Sequence, residues 1–320
     1  MAADRLVVLG TGGTIAGQAS RPEDTVGYTA GVVPVETLLA GVALPAGWSV
    51  ECEQVAQVDS KDMGPPVWRA LLGRLQLHLA RPEVAGVVVT HGTDTLEETA
   101  YLLQAVLNPA KPVVITCAMR PASAPSPDGP LNLADALRVA TESGARGVVA
   151  VCAGRLHSAL DVQKVHPYRL DPFESGDAGP LGGLAAGQLL QWRPWPDLGP
   201  AFDSSVLSRL LAQQDWPRVV WVSNHGGQDG VLVRTLVAAQ LAGRQDRPVA
   251  GIVVAGTGNG SLHEDLASAL RDAQRAGMVV WVSTRCAHGQ VLPIGREEGW
   301  TRTVLAPAKA RLALMLSLLP

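Results

Sequence analysis

The fold of this chain is decided near its amino terminus by the stretch LVVLGTGGTIAG, which occupies residues 6–17. The continuous apolar run at residues 6–9 is typical of a strand that is buried on both faces. A turn rich in glycine and threonine follows at once, and its glycines allow a ligand to approach the backbone. In open parallel sheets, ligands bind beyond the carboxyl ends of the strands. The stretch therefore predicts both a buried strand and a functional edge.

Similar apolar runs recur along the chain and alternate with segments of helical spacing. The runs lie at residues 86–89, 113–116, 147–151, 219–222, 251–254 and 279–282. Segments with helical spacing lie at residues 67–79, 96–107, 131–141, 231–241 and 262–276. This alternation predicts an α/β fold with a doubly wound, mostly parallel sheet.

The length of 320 residues exceeds what one hydrophobic core usually serves, so two domains are expected. Glycine and proline become frequent between residues 178 and 203, which indicates a hairpin region that leads into a linker. We therefore predict a larger N-terminal α/β domain over residues 1–191, a linker over 192–213, and a smaller C-terminal α/β domain over 214–320.

Composition limits the classes of partner. The formal charge of -3 gives no electrostatic reason to expect nucleic acid or an anionic membrane. Four scattered cysteines indicate free thiols, and the histidines lack metal-ligand spacing, so neither a metal nor a cofactor is predicted. No signal peptide is recognisable, and the uncharged stretch at 312–320 is short against the roughly 20 residues of a membrane span. A soluble, cytoplasmic protein with a small neutral or zwitterionic substrate is expected.

The glycine-rich turn does not match the common nucleotide-binding patterns. Counting from Gly10, the dinucleotide pattern G-x-G-x-x-G meets Ile15 where its last glycine belongs, and no G-x-x-x-x-G-K-[ST] sequence occurs. Thr14 offers a well-placed hydroxyl in this turn. Taken alone, the turn is either a catalytic or ligand-binding loop or a tight strand-to-loop connection with no catalytic role.

A second polar loop, THGTDTLEE, follows another strand at residues 90–98. Thr93 and Asp94 bring a hydroxyl and a carboxylate to a helix start, although a plain helix cap explains them equally well. We interpret His91 as structural. Lys164 is one of only four lysines among 26 basic residues, and a partly buried amine can act as a base where a guanidinium cannot. A solvated surface lysine is the alternative.

Two segments, TGGTIAG at 11–17 and THGTDTLEETA at 90–100, resemble the signature segments of the bacterial L-asparaginase and glutaminase family. The resemblance continues through residues 27–29, 59–63, 118–121, 128–133, 161–164 and 256–261, and so spans nearly the whole chain. It implies a cofactor-independent amidohydrolase that converts L-asparagine, with L-glutamine as the alternative substrate, to the acid and ammonia.

The resemblance also implies catalytic roles at matching positions. Thr14 is implied as the nucleophile, with Tyr28 beside it on a mobile lid. Thr93 and Lys164 form the implied hydroxyl–base pair, and Asp94 binds the α-ammonium group of the substrate. These residue types suit the chemistry, because a threonine hydroxyl is a poor nucleophile until a base or a hydrogen-bond network accepts its proton.

Further positions are implied in substrate binding and assembly. Ser60 is a ligand of the substrate α-carboxylate, and we expect backbone N–H groups near Thr93 and Ala118 to form an oxyanion hole. Relatives are tetramers built from close dimers, in which each active site receives residues from the neighbour's C-terminal domain. The segment 256–261 fits that donor loop, with Ser261 at the α-amino site, and the monomer is expected to be inactive.

Two departures from the family pattern concern recognition of the α-amino group. Lys61 stands where relatives carry Gln or Glu, and two like charges about 4 Å apart cost roughly 1 kcal/mol in water and up to about 4 at an intermediate dielectric. We expect Lys61 to turn toward the α-carboxylate or to pair with Asp59 or Asp62, unless the substrate lacks a free α-amino group. The segment 284–290 also departs from the pattern, which leaves Glu297 as the candidate for the acid that the neighbouring subunit contributes.

Three other interpretations remain. The chain is a glutaminase or a hydrolase of another small amide, which only the pocket volume distinguishes. The amidase subunit of a tRNA-dependent amidotransferase shares these motifs but carries an additional N-terminal domain, for which a strand beginning at Leu6 leaves no room. A non-catalytic Rossmann-like ligand-binding protein is expected to lack the nucleophile or the base, and both are present here.

Overall fold

The computed structural model describes residues 4–24, 26–196, 202–203, 205–244, 246–292 and 299–320. Two compact units divide the chain, Met1–Gln214 and Asp215–Pro320. No helix within the described ranges is long and apolar enough to cross a membrane.

The first unit is built around an eight-stranded sheet. The strands of this unit are β1 Arg5–Gly12, β2 Gln18–Ala19, β3 Tyr28–Thr29, β4 Ser49–Val58, β5 Val84–Thr90, β6 Val113–Thr116, β7 Val148–Cys152, β8 Arg155–Ser158, β9 Gln163–Lys164, β10 Phe173–Glu174, β11 Gly182–Ala185 and β12 Gln188–Gln191. Its helices are α1 Val35–Ala40, α2 Pro65–Leu79, α3 Leu96–Leu107, α4 Gly129–Ala140 and α5 Ser205–Ala212. Single 3₁₀ turns occupy Thr14–Ala16, Ser60–Asp62 and Gly176–Ala178.

The strand order β12-β11-β8-β7-β6-β5-β1-β4 places the functional edge of this sheet. Strands β7, β6, β5, β1 and β4 run parallel, whereas β8, β11 and β12 form an antiparallel extension. Strand β1 pairs with β4 on one side and β5 on the other, so the strand order reverses at β1. Ligands bind at such a switch point in open α/β sheets, beyond the carboxyl ends of the strands. The predicted doubly wound, mostly parallel sheet is confirmed.

Fully buried side chains explain why the central strands form. Leu6, Val8, Val88 and Val114 are inaccessible to solvent and pack together with residues of α4 on one face of the sheet. Continuous apolar runs can be buried in this way because helices cover both faces of a parallel sheet. The register pairs Gly10 with Thr90 and Thr90 with Thr116, so the polar loops that follow β1, β5 and β6 begin at the same level.

The second unit is a smaller four-stranded sheet in the order β13-β14-β15-β16 with parallel pairing throughout. Its elements are β13 Arg218–Ser223, α6 Val231–Leu241, β14 Val249–Gly256, α7 Glu264–Arg275, β15 Val279–Thr284, β16 Thr301–Arg302 and α8 Pro307–Ser317. Ile252, Val254, Leu266 and Leu270 are fully buried in its core. The smaller C-terminal α/β domain expected from the sequence is thereby confirmed as a fold.

The stretch predicted as a linker, residues 192–213, contains helix α5. Its apolar side chains Val206 and Leu210 are buried, and the helix contacts α2 and α3. Arg69 on α2 also donates a hydrogen bond of 2.8 Å to the carbonyl oxygen of Gln213. Helix α5 and Gln213 therefore belong to the first compact unit, which ends at Gln214.

Candidate active site

Two glycines bring the loops after β1 and β5 into direct backbone contact. Gly13 has φ +81°, and a Cβ atom placed on it would lie 2.3 Å from the backbone of Gly92. A Cβ atom on Gly92 would in turn lie 2.4 Å from Ser60 Oγ. Because no side chain separates these backbones, the turn that carries Thr14 lies against the loop that carries Thr93.

Thr14 is buried in the 3₁₀ turn, and its Oγ1 lies 2.6 Å from the Tyr28 phenol oxygen. Tyr28 belongs to β3, which pairs with β2 at Ala19. Desolvation raises the pKa of Tyr28 above its usual value near 10, and the carboxylates of Asp59 and Asp94 raise it further, while the hydrogen bond from Thr14 opposes them. The phenol therefore stays protonated at neutral pH and orients the Thr14 hydroxyl.

Lys164 connects the hydroxyl and the carboxylate of the second loop. Its Nζ donates hydrogen bonds to Thr93 Oγ1 at 2.7 Å and to Asp94 Oδ1 at 2.5 Å. The Lys164 side chain is only 15% exposed, whereas that of Asp94 is 54% exposed. An open cavity of about 360 Å³ adjoins Asp94 and Lys164. The Lys164 amine is therefore largely enclosed by the protein, whereas the Asp94 carboxylate is exposed and available to a ligand.

Ser60 is fixed to the same loop. Its Oγ accepts a hydrogen bond of 3.2 Å from the Asp94 backbone N–H, and its carbonyl oxygen accepts one of 2.8 Å from the Thr95 hydroxyl. The structure thus brings together Ser60, Thr93, Asp94 and Lys164, four of the residues to which the resemblance assigns roles.

Lys61 turns toward neighbouring carboxylates. Its ammonium group pairs with Asp62 and lies 3.7 Å from Asp59 Oδ2. Hydrogen bonding with Asp62 raises the pKa of Lys61, and the charge of Asp59 adds to the effect. This pairing is one of the arrangements considered from the sequence.

Ala118 lies two residues after β6, directly beside the Thr14 turn. It is fully buried and packs with Ile15 and Ala16. Asp128 accepts hydrogen bonds of 2.9 Å from the backbone N–H groups of the two residues after Ala118. Asn132 donates a hydrogen bond of 2.9 Å to the carbonyl oxygen of Cys117. The sequence alone does not indicate this anchoring role of Asp128 and Asn132, although residues 128–133 are among those that carry the resemblance.

A buried hydrogen-bond relay fixes the backbone before Thr93. The Trp68 indole N–H donates to Thr99 Oγ1 at 2.9 Å, and Thr99 Oγ1 lies 2.9 Å from His91 Nε2. The Gly92 carbonyl oxygen can only accept, so Nδ1 of His91 carries the proton and donates to it at 2.7 Å. In the neutral ring Nε2 then accepts the hydroxyl proton of Thr99. Burial lowers the pKa of this histidine to about 4, so it is neutral at physiological pH.

The remaining predicted residues belong to the C-terminal part of the chain. Ser261 is an exposed residue of the second unit, where its backbone N–H donates to the Thr257 carbonyl oxygen at 2.7 Å. Glu297 lies outside the described residues. Within the described ranges, no group of three His, Cys, Asp or Glu side chains is arranged to hold a metal ion.

The fold and this site define an α/β protein with two threonine hydroxyls, those of Thr14 and Thr93, on neighbouring loops at the carboxyl edge of a parallel sheet. Two family models cover nearly the whole chain: Asparaginase, N-terminal, matches residues 5–196, and Glutaminase/Asparaginase C-terminal domain matches residues 218–319. The chain belongs to this asparaginase and glutaminase family.

Individual relatives match over more than four-fifths of their own length. L-asparaginase 2 of Bacillus subtilis (strain 168) is 37% identical over 97% of this chain and 81% of its own length. Glutaminase-asparaginase of Pseudomonas fluorescens biotype A is 34% identical over 98% and 86%. The crystal structure of a probable cytoplasmic L-asparaginase from Campylobacter jejuni superimposes with a TM-score of 0.88 at 34% identity, covering 98% of this chain and 94% of that one.

The contact between the two glycine backbones predicts a large cost for a single methyl group. Gly13→Ala is expected to lower the free energy of unfolding by more than about 3 kcal/mol, because left-handed strain and overpacking against Gly92 add together. Gly144→Ala is the matched control, since Gly144 also has positive φ, at +76°, but faces open space. Urea denaturation measures both losses. Equal losses would mean that the backbone contact does not restrict this position.

The neutral buried His91 predicts a specific dependence of stability on pH. The pKa of His91 is about 4 in the folded protein, against the usual pKa of 6.5 for a histidine. At a pH between these two values, the unfolded chain binds a proton at His91 that the folded protein does not. The free energy of unfolding should therefore rise with pH across this window, by on the order of 3 kcal/mol from His91 alone.

His91→Asn removes the titration and keeps a donor near the Gly92 carbonyl oxygen. We expect this variant to be less stable at pH 7.5 but to lose less stability than the wild type between pH 6.5 and pH 4. Denaturant titrations at several pH values measure the free energy of unfolding of both proteins. In the difference between the two, the contribution of their common carboxylates to the pH dependence cancels. Parallel curves would contradict the assignment of a low pKa to His91.

Proposed function

We propose that this protein is an L-asparaginase, which hydrolyses L-asparagine to L-aspartate and ammonia with Thr14 as the nucleophile. The observation that carries the proposal is the pair of short hydrogen bonds at one sheet edge, from Lys164 Nζ to Thr93 Oγ1 at 2.7 Å and between Thr14 Oγ1 and the Tyr28 phenol at 2.6 Å. Membership of the asparaginase and glutaminase family supports the same chemistry.

In the proposed first step, Lys164 acts as a neutral amine. Thr14 Oγ1 attacks the side-chain amide carbon while its proton passes to the Thr93 hydroxyl, which gives its own proton to Lys164 Nζ. Tyr28 orients the attacking hydroxyl as a neutral hydrogen-bond partner. When the pair returns the proton to the amide nitrogen, the tetrahedral intermediate collapses and releases ammonia. The aspartyl group then remains bound to Thr14 as an ester. Water then attacks this ester, and the pair transfers a proton from the water to Thr14 Oγ, which releases L-aspartate.

Backbone N–H groups near Thr93 and Ala118 are proposed to bind the oxyanion. Each such donor contributes roughly 3 kcal/mol to transition-state stabilisation when its orientation is fixed before the reaction. The Asp128 hydrogen bonds hold the loop after Ala118, and the His91 hydrogen bond holds the peptide before Thr93. This anchoring supports a preorganised site.

Substrate recognition is proposed to use Asp94 for the α-ammonium group and Ser60 for the α-carboxylate. The exposed Asp94 carboxylate has one oxygen hydrogen-bonded to Lys164, which leaves the other for a second cation. Because Lys61 pairs with Asp59 and Asp62, its positive charge is partly neutralised near this position. A paired Lys61 repels the substrate α-ammonium group less than a free ammonium group would. The pairing therefore supports a substrate that has an α-ammonium group.

The active assembly is proposed to be a cytoplasmic homotetramer, formed as a dimer of dimers. The C-terminal domain, residues 214–320, would then supply Ser261 and an acid, for which Glu297 is the candidate, to the site of the neighbouring subunit. The resemblance supports this arrangement, and the C. jejuni relative supports the location through its description as a probable cytoplasmic L-asparaginase.

L-glutamine is the second candidate substrate, because the P. fluorescens relative is named a glutaminase-asparaginase. One additional methylene changes discrimination only modestly in a pocket of this kind. A non-catalytic ligand-binding role is disfavoured, since the Lys164–Thr93 hydrogen bond supplies the base and hydroxyl that such a protein would not need.

Ammonia release from L-asparagine, L-glutamine, D-asparagine and succinamate tests the reaction and its substrate. We expect L-asparagine to be cleaved best, and Thr14→Ala and Thr93→Ala each to lower kcat by at least about a thousandfold. Thr11→Ala is the control from the end of β1, three residues before Thr14, because the Thr11 hydroxyl donates to the Thr90 carbonyl oxygen. Preference for succinamate would show that Lys61 has redirected specificity, and full activity in both alanine variants would exclude the threonine mechanism.

Subunit mixing tests whether the C-terminal domain acts on a neighbour. Thr14→Ala and Ser261→Leu are expected to be inactive or weak alone, because they damage opposite halves of a shared site. Unfolding and refolding them together should restore about a quarter of wild-type activity in close dimers, since half of the pairs are mixed and each mixed pair has one intact site. No gain on mixing would contradict the contribution of Ser261 to a neighbour.

A further inference from the structure

Lys164 lies on a strand that cannot hold it in place alone. Strand β9 contains only Gln163 and Lys164, and its antiparallel partner β10 contains only Phe173 and Glu174. An isolated two-stranded ribbon is marginally stable even when it is longer than this one. A residue whose amine must meet a hydroxyl within hydrogen-bond distance therefore needs an additional anchor.

Glu97 supplies such an anchor. The backbone N–H of Lys164 donates a hydrogen bond of 2.7 Å to Glu97 Oε2. Glu97 lies in the first turn of α3, which begins at Leu96, directly after the loop that carries Thr93 and Asp94. The carboxylate thus joins the strand that carries the proposed base to the helix that follows the proposed hydroxyl.

We propose that Glu97 is a positioning residue, which sets the place of Lys164 relative to Thr93. This inference rests on the proposed function, in which Lys164 and Thr93 act as a pair. Lys164 is bound at both ends: its backbone N–H to Glu97, and its Nζ to Thr93 and Asp94. All three partners belong to the single segment 93–97, so the lysine and the hydroxyl share one rigid support.

The chemistry of the contact explains why a carboxylate occupies this position. A hydrogen bond to a charged acceptor is shorter and stronger than one to a neutral acceptor. With its main chain fixed, the flexible Lys164 side chain has fewer ways to leave Thr93. A misplacement of about 1 Å in a catalytic group can cost roughly a hundredfold in rate.

Other contacts keep the β9–β10 ribbon folded without Glu97. Phe173 is buried opposite Lys164, and His157 Nδ1 lies 2.8 Å from the Ser175 hydroxyl immediately after β10. Removal of the Glu97 carboxylate is therefore expected to loosen the position of Lys164 without unfolding this region.

The kinetic test compares Glu97→Ala, Glu97→Gln and Glu97→Asp, with Glu98→Ala as the matched control from the same helical turn. We expect Glu97→Ala to lower kcat for L-asparagine by about 10- to 100-fold while KM changes less than about threefold, because positioning of the base is lost and substrate contacts remain. Glu97→Gln keeps an acceptor oxygen and should retain kcat within a few fold. Glu97→Asp, whose shorter side chain cannot reach, should behave like Glu97→Ala, and Glu98→Ala like the wild type.

A second readout does not depend on activity. The chain has only four lysines, so selective ¹⁵N-lysine labelling gives four backbone amide signals, with Lys61, Lys111 and Lys309 as internal references. Lys164→Arg, which removes one signal, assigns Lys164. In Glu97→Ala the Lys164 amide should move upfield and exchange with solvent faster, whereas Glu97→Gln should largely preserve its protection.

The two readouts separate failure of this inference from failure of the proposed function. A wild type that releases no ammonia would overturn the proposed function and the positioning role together, even if the amide signal responds as expected. An active wild type whose kcat is unchanged in Glu97→Ala would overturn the role of Glu97 alone. A Glu97→Gln variant as slow as Glu97→Ala, or a Glu98→Ala variant with the same loss, would also overturn it, since the effect would then not depend on the acceptor at residue 97.

Discussion

The candidate site depends on the contact between two bare backbones, at Gly13 and Gly92. The buried parallel strands β1 and β5 bring their carboxyl ends to the same level, but level ends alone leave room for side chains between the loops. Glycine at both positions removes that spacing, so the Thr14 turn lies against the Thr93 loop. Everything that follows, from the Lys164 hydrogen bond to the fixed Ser60, is attached to one of these two loops.

The surroundings of this contact divide the polar groups into neutral and charged sets. His91 and Tyr28 are desolvated, and burial disfavours the charged form of each, which lowers the pKa of the histidine and raises that of the tyrosine. They act as fixed hydrogen-bond partners. The charged groups, Asp94 and Lys164, lie closer to the open cavity, where a polar ligand can meet them. The neutral groups, His91 and Tyr28, thus fix the positions of their neighbours, whereas the charged groups, Asp94 and Lys164, are placed where a ligand can bind them.

Much of this arrangement follows from the sequence. Apolar runs with polar loops after them predict the sheet and its functional edge, and the resemblance singles out the residues there, of which Thr93, Asp94 and Lys164 lie together. Helix α5 was not predicted, because the Gly/Pro-rich composition before it suggested a continuous linker. The anchoring role of Glu97 was equally invisible, since a carboxylate in a first helical turn is ordinarily explained by the helix dipole. The His91 relay requires Trp68, whose proximity depends on how α2 packs.

Lys61 shows how a departure from a family pattern is absorbed by local charge. Three carboxylates, Asp59, Asp62 and Asp94, and two ammonium groups, Lys61 and Lys164, are linked through ion pairs in two groups. With both lysines protonated, their formal charges sum to one negative charge, which offsets the positive charge that Lys61 adds. An unpaired Lys61 would instead repel the α-ammonium group of a substrate. Asp59 and Asp62 therefore offset the charge of Lys61. We expect these ion pairs, more than the residue type at position 61, to determine whether the proposed site accepts an α-ammonium group.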